Sequence, residues 1–352
     1  MKKYIVAIAL LAGLSFSAAA QDAQTAAAEA AAALTAAPEA EVPAPKPCYW
    51  TNSVKTNINF AQTSLHDWAA GGFNNVTLGA YVDANANYAK DKLKWTNRLQ
   101  LDYGFLYSDD KPIIQKVKDQ IYLQSNGALD TPVKNLYYSA DFSFKTQFGN
   151  NYTYGTPAVA DPSKQDWKDA RVLKSGLFAP AYVTLGLGIK WTPKPWLTAN
   201  FAPLTGGFVI VDDPLLRKAY GMELHSRYQD ALPDPAPEAG SVAEGRLYRS
   251  SRFEFGAQLK LDGKVVINDN LEYSTQLVLF SNYLKNPQNL RVNWDNRIFW
   301  KLAKYFTMTF STNMIYDDTI RIKNEDHPNG IRIDQWKQVL EFGFTYTIAS
   351  KK

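Results

Sequence analysis

The sequence predicts an all-β fold: an antiparallel, up-and-down transmembrane β-barrel of about twelve strands, preceded by a signal peptide and a disordered linker. Three observations predict it. Beyond residue 50, short turns and longer loops alternate between strand-like segments, the segments alternate apolar with polar side chains, and aromatic residues gather near segment ends. Membrane barrels have short periplasmic turns, long outer loops and aromatic girdles. A soluble β-sandwich has no physical reason to sort its loops in this way.

The N-terminus has the three parts of a secretory signal peptide. Residues 1–3 carry positive charge, residues 4–16 are apolar but too short to span a bilayer as a helix, and residues 18–20 are an Ala-Ala-Ala cleavage site. A secreted chain with membrane-barrel patterning belongs in an outer membrane. The predicted segments are a signal peptide at 1–20, an Ala/Pro/Glu-rich flexible linker at 21–49, and an outer-membrane β-barrel at 50–352.

The predicted linker contains almost no large side chains. Such a segment cannot bury enough apolar area to offset the entropy lost on ordering, so we expect a flexible periplasmic tether. Near its end stands Cys48, the single cysteine of the chain. One cysteine cannot form an internal disulfide, and we therefore expect a free thiol.

Composition excludes several classes of protein. The formal net charge is +4 and the basic residues are scattered, which gives no basis for nucleic-acid binding. Mean hydropathy is −0.31, and after the signal peptide no apolar stretch reaches the ~18 residues that a membrane-spanning helix needs. A barrel reconciles a polar average with residence in a membrane, because only every second residue of a strand faces lipid.

Alternation with a period of two is clearest at 93–107, where Trp95 and Leu101 share one face and Lys94 and Arg98 share the other. This period indicates a sheet with one apolar and one polar face. An even number of strands places both termini in the periplasm. The predicted strands are 54–62, 73–89, 92–107, 117–125, 135–149, 181–192, 195–211, 248–262, 264–285, 290–302, 305–317 and 334–348.

Two features of this assignment depend on local turn chemistry. The predicted tight turns include 126–134 and 262–264, both of which contain glycine beside polar residues. The segment 195–211 is the least regular, because Pro203 removes a ladder donor and Gly206-Gly207 favours a bulge.

One motif resembles a known family. The segment from Gln62 has the pattern Q-x-x-x-x-x-W-x-x-G-G, with Trp68, Gly71 and Gly72 at its defined positions, and a W-T-N element follows at 95–97. This combination is similar to a family of Bacteroidota outer-membrane barrels of unknown function, over nearly the whole predicted barrel. The resemblance implies a barrel and an outer-membrane address, and it implies no activity.

The motif also has a physical interpretation. The run from Trp68 to Gly72 suits a compact loop folded back over the barrel, since Gly71 and Gly72 permit positive φ and close backbone approach. The loop is either a recognition loop or inward plug, or a clasp that locks the first two strands together.

The polar faces of the predicted strands should line the barrel interior. Both signs of charge are interspersed there, which favours a lumen filled by salt bridges, whereas a selective pore would show one dominant sign at a constriction. Basic residues outnumber acidic ones, so an open lumen would have a weak anion preference. The predicted lining residues are Lys94, Arg98, Asp102, Asp141, Lys145, Lys190, Arg252, Glu254, Lys260, Glu272, Arg291, Asp295, Arg297, Lys301 and Glu341.

Three aspartate pairs fall where upward-running strands should leave the membrane. Oxygen-rich rims suit Ca²⁺ or Mg²⁺, or cation bridges to lipopolysaccharide phosphates, but solvated loop acids explain them equally well. The pairs are Asp109-Asp110, Asp212-Asp213 and Asp317-Asp318.

An enzymatic role has little support in the sequence. The histidines are His66, His225 and His327, all in predicted outer loops, without a G-x-S-x-G motif or metal-ligand spacing around them. Ser64 beside His66 is the nearest approach to a catalytic pair, but adjacent polar loop residues are usually not catalytic. We therefore predict a barrel that is not an enzyme and that needs no cofactor. Its most favoured role is structural or interaction-based, with the loops 150–180 and 212–247 as contact surfaces. A small-solute channel is the alternative. Expected partners are membrane lipid, lipopolysaccharide and another outer-membrane protein, not nucleic acid.

Overall fold

The structure is a computed structural model that describes residues 48–64, 73–317 and 330–349. The predicted signal peptide, most of the predicted linker, the motif residues Trp68, Gly71 and Gly72, and Asp318 lie outside the described residues. Within the described residues, no helix is long and apolar enough to cross a membrane.

In the described part of the chain, twelve antiparallel strands form one closed barrel, and the first of them pairs with the last. This confirms the predicted fold class. The barrel strands are β1 (Trp50–Thr63), β2 (Asn75–Lys90), β3 (Leu93–Ser108), β4 (Gln115–Asp130), β5 (Leu136–Thr146), β8 (Ala181–Lys194), β9 (Leu197–Ile210), β10 (Ser251–Asn268), β11 (Leu271–Asn282), β12 (Leu290–Lys301), β13 (Phe306–Asp317) and β14 (Gln335–Ala349).

The longer connections contain short elements outside the barrel. Strands β6 (Asn151–Tyr154) and β7 (Arg171–Ser175) form a separate two-stranded sheet. Helix α1 (Lys164–Asp169) lies between them in sequence, and helices α2 (Pro214–Arg217) and α3 (Val242–Gly245) lie between β9 and β10, with a single 3₁₀ turn at Ser226–Tyr228.

Connections are sorted between the two ends of the barrel. One rim, here called the short-turn rim, carries the connections 91–92, 131–135, 195–196, 269–270 and 302–305. The opposite rim, the loop rim, carries the connections that follow β1, β3, β5, β9, β11 and β13. Because β1 begins and β14 ends beside the short turns, both ends of the barrel strands lie at the short-turn rim.

Two predicted turns are wrong. At 262–264 the ladder continues, Gly263 pairs with both Leu197 and Thr275, and β10 turns only at 269–270. At 126–134 the strand continues to Asp130, and the turn lies at 131–135. In both places a polar, glycine-containing stretch resembles a turn because its polar side chains face the barrel interior.

The irregular ninth strand remains continuous. Its register shifts against β8 between Leu187 and Ile189 and against β10 between Gly256 and Gln258, which brackets Pro203 on both sides. Gly206 and Gly207, where a bulge was expected, pair regularly. The bulge therefore forms where the ladder lacks a donor and not where the backbone is most permissive.

Burial in this molecule is inverted relative to a soluble protein. Outward side chains such as Phe344 and Leu185 are 66% and 51% exposed, whereas the inward Lys260 and Asp141 are 4% and 5% exposed. The exposed aromatic side chains include Trp95, Trp191, Trp196, Trp300 and Tyr305 near the short-turn rim and Tyr107, Phe148, Tyr283 and Trp336 near the loop rim. An apolar outer belt with aromatic ends is the surface that a bilayer covers.

The seam between β1 and β14 requires a glycine. A Cβ atom at Gly343 would clash with Asn59 Oδ1 and lie 2.6 Å from the carbonyl oxygen of Ile58, which belongs to the backbone of the neighbouring strand. At Gly79, also an inward glycine beside Asn59, an added Cβ would meet its nearest atoms at 3.8 Å.

We predict that Gly343→Ala lowers the free energy of unfolding by about 1–3 kcal/mol, because overpacking must displace the seam backbone. Gly79→Ala is the matched control and should change stability by under about 1 kcal/mol. Urea unfolding of the refolded barrel, followed by tryptophan fluorescence, measures both. Equal effects of the two substitutions would contradict the role of Gly343 in closure.

Candidate functional site

The barrel interior concentrates the charged side chains, and several contacts cross it. Lys118 on β4 pairs with Glu341 on β14, and Lys260 on β10 lies 3.5 Å from Asp141 on β5. The two strands of each pair are not adjacent in the barrel, so both contacts pass through its interior. The two pairs therefore link separate parts of the wall across the lumen.

Two cation–π contacts cross the interior as well. Lys55 Nζ on β1 lies 3.3 Å from the ring centroid of Phe299 on β12, and the Arg297 guanidinium on β12 lies 4.9 Å from the ring centroid of Tyr81 on β2. A cation over an aromatic face is stabilised without a carboxylate partner. Together with the crossing ion pairs, these contacts join non-adjacent strands through the interior.

Strand register places all fifteen predicted lining residues on the face that makes these crossing contacts. The alternation of each strand positions them, since inward residues recur every second position. Eight of them fall into three clusters of contacts, which centre on Glu254, on Glu341 and Arg98, and on Asp141.

Near the loop rim, Glu254 lies between two arginines. Its carboxylate accepts hydrogen bonds from Arg252, at 3.1 and 3.3 Å, and from Arg291. Glu254 is 8% exposed. A carboxylate shared by two guanidinium groups leaves one positive charge in excess at this level.

The second cluster surrounds Glu341, which accepts hydrogen bonds from Lys118 and, at 3.0 Å, from Asn59. On neighbouring strands, Arg98 donates to both carboxylate oxygens of Asp83 at 2.6 and 3.0 Å. This two-point pairing fixes the guanidinium plane and neutralises the charge of Arg98.

The third cluster is the most buried. Asp141 accepts hydrogen bonds from Asn126 at 3.2 Å and Gln124 at 3.4 Å, and it faces Lys260. Lys190 donates to Asn126 Oδ1 at 2.9 Å. A single amide thus bridges a lysine and an aspartate.

Other predicted residues have partners of their own near the rims. Lys94 donates to the Tyr137 hydroxyl at 2.7 Å, and Asp295 accepts from Asn313 at 2.7 Å. Glu272 pairs with Lys264, which lies on the neighbouring strand, at 3.0 Å. Within the described residues, Lys145, Lys190 and Lys301 have no carboxylate within 4.0 Å.

Sequence reasoning missed several interior residues, among them Tyr81, Asp83, Lys118 and Asn200. On β2 the outward positions include Ala80, Ala84 and Ala86, whose small side chains give a weak apolar signal. The alternation is therefore weak on the apolar side. The signal that indicates the inward face of β2 is the recurrence of Tyr81, Asp83 and Asn85 at every second position.

Strands β3 and β12 share a W-x-N-R pattern, at 95–98 and 294–297. In each, the tryptophan N–H donates to a hydroxyl on the neighbouring strand, Ser125 at 2.8 Å or Thr275 at 2.9 Å. That hydroxyl donates in turn to the asparagine Oδ1 at 2.8 Å. The clasp satisfies polar groups on the outer face, and alternation then turns the following arginine inward.

The two longest loops, 147–180 and 211–250, pack together as a small cap at the loop rim. Its apolar core is formed by Ala179, Val211, Leu216 and Met222, all buried. The Tyr220 hydroxyl, from the second loop, donates to the carbonyl oxygen of Lys174 in the first at 3.1 Å. Burial raises the pKa of Tyr220 to about 12, since a phenolate would lose its hydration there.

The cap is ordered by its own helix caps and is tied to the barrel. Ser163 and Asp166 form a capping box on α1, which lowers the pKa of Asp166 because the carboxylate accepts from Ser163. The Phe178 N–H of the first loop donates to the Thr146 hydroxyl on β5 at 3.2 Å. The inward Arg252 donates to the carbonyl oxygen of Gly221 at 3.0 Å, which connects the cap to the Glu254 cluster.

The structure does not support the metal interpretation of the aspartate pairs. Asp109 accepts from Asn74 at 2.6 Å, Asp110 lies 3.5 Å from Lys111, and Asp213 caps α2. Among the described residues, no group of three or more His, Cys, Asp or Glu side chains could hold a metal ion. Asp212 and Asp317 also lie at the loop rim, but the pairs follow different strands, β9 and β13, and so they do not form such a group.

Comparison with known proteins adds a family of unknown function. A family model described as "Protein of unknown function (DUF3078)" matches residues 60–152. The match covers less than half of the chain and overlaps the segment that carries the Q-x-x-x-x-x-W-x-x-G-G pattern. Assignment to a Bacteroidota family defined by that pattern stays a prediction. No curated protein matches the chain.

Solved structures with a similar arrangement are outer-membrane barrels. The translocator domain of the autotransporter NalP from Neisseria meningitidis is 9% identical, with a TM-score of 0.37, over 92% of this chain and 97% of that chain. An outer membrane channel from Pseudomonas putida F1 is 9% identical, with a TM-score of 0.36, over 86% and 96% of the two chains. The beta domain of the Bordetella autotransporter BrkA is 8% identical, with a TM-score of 0.29, over 84% and 99%. Such values support no functional inference.

We predict that Asp141→Asn destabilises the barrel by roughly 3 kcal/mol or more, because it leaves the buried Lys260 ammonium without its carboxylate. The double variant Asp141→Asn/Lys260→Gln should recover much of this loss. Urea unfolding of the single and double variants gives the coupling free energy.

The control for this cycle is the exposed pair Lys264–Glu272, for which Lys264→Gln should cost under about 1 kcal/mol. Additive effects of Asp141→Asn and Lys260→Gln would show that the interior pair does not couple β5 to β10.

Proposed function

We propose that the protein is an outer-membrane barrel with a closed interior, which acts as a structural or interaction protein through the cap on its loop rim. The observation that carries the proposal is the set of contacts between non-neighbouring strands, Lys118–Glu341 and Lys260–Asp141 above all. A barrel built for passage would leave its interior free of such contacts, whereas these side chains join strands three and four positions apart around the ring.

The outer-membrane address follows from two features that support one another. The described barrel has an apolar, aromatic-ended outer belt, and the sequence begins with a signal-peptide pattern. Both ends of the barrel strands lie at the short-turn rim, so this rim faces the periplasm in the proposed orientation. Membrane lipid then covers the belt, and lipopolysaccharide surrounds the loop rim.

The cap supports the interaction part of the proposal. Loops that serve only as connections do not need their own apolar core, but these two loops share one and are held by helix caps. Apolar side chains remain exposed on it, including Leu215 and Val242 at 45% and 43%. We assign this surface to another outer-membrane protein.

A small-solute channel is the second candidate, and the unpaired interior lysines favour it. Lys145, Lys190 and Lys301 project inward without a carboxylate within 4.0 Å among the described residues. If the interior opens, this excess of positive charge gives the weak anion preference expected from the sequence. We propose no catalytic role.

Planar-bilayer recording tests closure. We predict that the purified barrel shows no stepwise conductance, and that Lys118→Ala/Glu341→Ala, which removes a crossing pair, allows ion flow. The matched control is Lys264→Gln/Glu272→Gln, an ion pair between neighbouring strands at the short-turn rim, which should stay silent. Stable conductance by the unmodified protein would refute the closed interior and favour the channel, with anion selectivity then expected.

Co-purification from native membranes tests the cap. We predict that Leu215→Glu/Val242→Glu releases the partner protein that accompanies the unmodified barrel, because buried carboxylates are costly at an apolar interface. Val133→Glu, at an exposed apolar position on the opposite rim (59% exposed), is the control and should retain it. Retention by both variants, or release by both, would contradict a binding surface on the cap.

A further inference from the structure

The interior contains a polar cavity of about 190 Å³ near the Asp141 cluster. Side chains from seven strands line it, and every one of them is polar or charged. Its volume corresponds to roughly six waters at ~30 Å³ each. A lining of amides, hydroxyls and charges excludes an apolar occupant and suits a small hydrophilic solute.

One wall of this cavity is a row of three hydrogen-bond donors. Register places Lys190 on β8 directly opposite Asn200 on β9, and Asn200 directly opposite Lys260 on β10. Neighbouring strands lie about 4.8 Å apart, so the two lysine stems flank the asparagine within about 10 Å of each other. Two ammonium groups and an amide therefore share one inward row.

The positive charges in this row are not equally compensated. Lys260 faces Asp141, and Arg98, also in the cavity lining, is held by Asp83. Lys190 donates to the neutral amide oxygen of Asn126. The remaining lining carboxylate, Asp262, accepts from Gln276 at 2.6 Å; Asp262 and Asp141 attract Lys190 electrostatically, but neither forms a hydrogen bond with it.

Asn200 supplies an independent sign of a missing acceptor. It is only 5% exposed, and its Oδ1 accepts from the Ser139 hydroxyl at 3.0 Å. Among the described residues, no hydrogen bond uses its side-chain N–H groups. Because Asn200 lines the cavity, this amide is free to donate to an acceptor that enters it.

We propose that the cavity binds a small oxyanion, of the size and charge of inorganic phosphate, between Lys190 Nζ and Asn200 Nδ2. An oxyanion gives Lys190 the charged partner it lacks and gives the Asn200 amide its acceptor. Hydrogen bonds from an ammonium to an anion are stronger than neutral ones, and the partly enclosed site strengthens them further. This inference goes beyond the closed-barrel proposal and does not require passage through the lumen.

Binding of inorganic phosphate to the full chain, folded in detergent micelles, is the direct test, measured by isothermal titration calorimetry. We expect saturable binding, weakened at least about tenfold by Lys190→Gln through loss of a charge-assisted hydrogen bond. Lys301→Gln is the matched control, because Lys301 is also an inward lysine without a carboxylate but does not line the cavity. It should bind phosphate as the unmodified protein does.

A second variant keeps the test decisive if Lys190→Gln does not fold. Asn200→Asp is nearly isosteric and places a carboxylate between the two lysines, so it should stabilise the fold and abolish phosphate binding.

Absence of saturable binding by the unmodified protein at millimolar phosphate would overturn the proposal. Equal weakening of phosphate binding by Lys190→Gln and Lys301→Gln would also overturn it, because the anion would then be attracted by the overall positive charge of the interior and not by this site. A barrel that conducts ions yet binds phosphate through Lys190 would refute closure and leave this site intact.

Discussion

Every other feature of this molecule depends on the hydrogen-bonded seam between β1 and β14. Inside a bilayer no water is available to backbone N–H and C=O groups, so an open sheet edge would be prohibitively unstable. The seam removes both edges at once. Its close approach is possible because Gly343 has no side chain, and a polar chain from Asn57 through Thr345 and Thr307 to the Gly343 carbonyl oxygen supports it from within.

Closure determines where the charges can go. With lipid on the outside, ionisable side chains have only the interior, and there they must find partners or remain hydrated. The structure uses both solutions. Glu254, Glu341 and Asp141 each collect several donors, whereas Lys190 faces a polar cavity. The interior is thus a set of small electrostatic clusters enclosed by the outer belt.

The sequence predicts the barrel well because one physical rule, alternation, acts on every strand. Prediction from the sequence is wrong where a strand has the composition of a turn. The polar, glycine-containing stretches at Asn126 and Gly263 resemble turns, but they are strands whose polar side chains face the interior. The sequence also cannot predict which charges meet. Lys118 and Glu341 are paired by the barrel's curvature and register, which depend on all the strands together. Asp83 on β2 was not predicted to face the interior, because the alanines on the outer face of β2 weaken the alternation of apolar and polar side chains.

The seam has a consequence for how the molecule is made. Thr56 on β1 bonds to the backbone of Tyr346 on β14, and these residues are 290 positions apart in the chain. Contacts of such sequence separation carry a large loop-closure entropy and form slowly. Until the last strand has been synthesised and delivered, the nascent sheet has two bare edges that invite pairing with other chains. Pairing of β14 with β1 is therefore the step that ends the exposure of both edges.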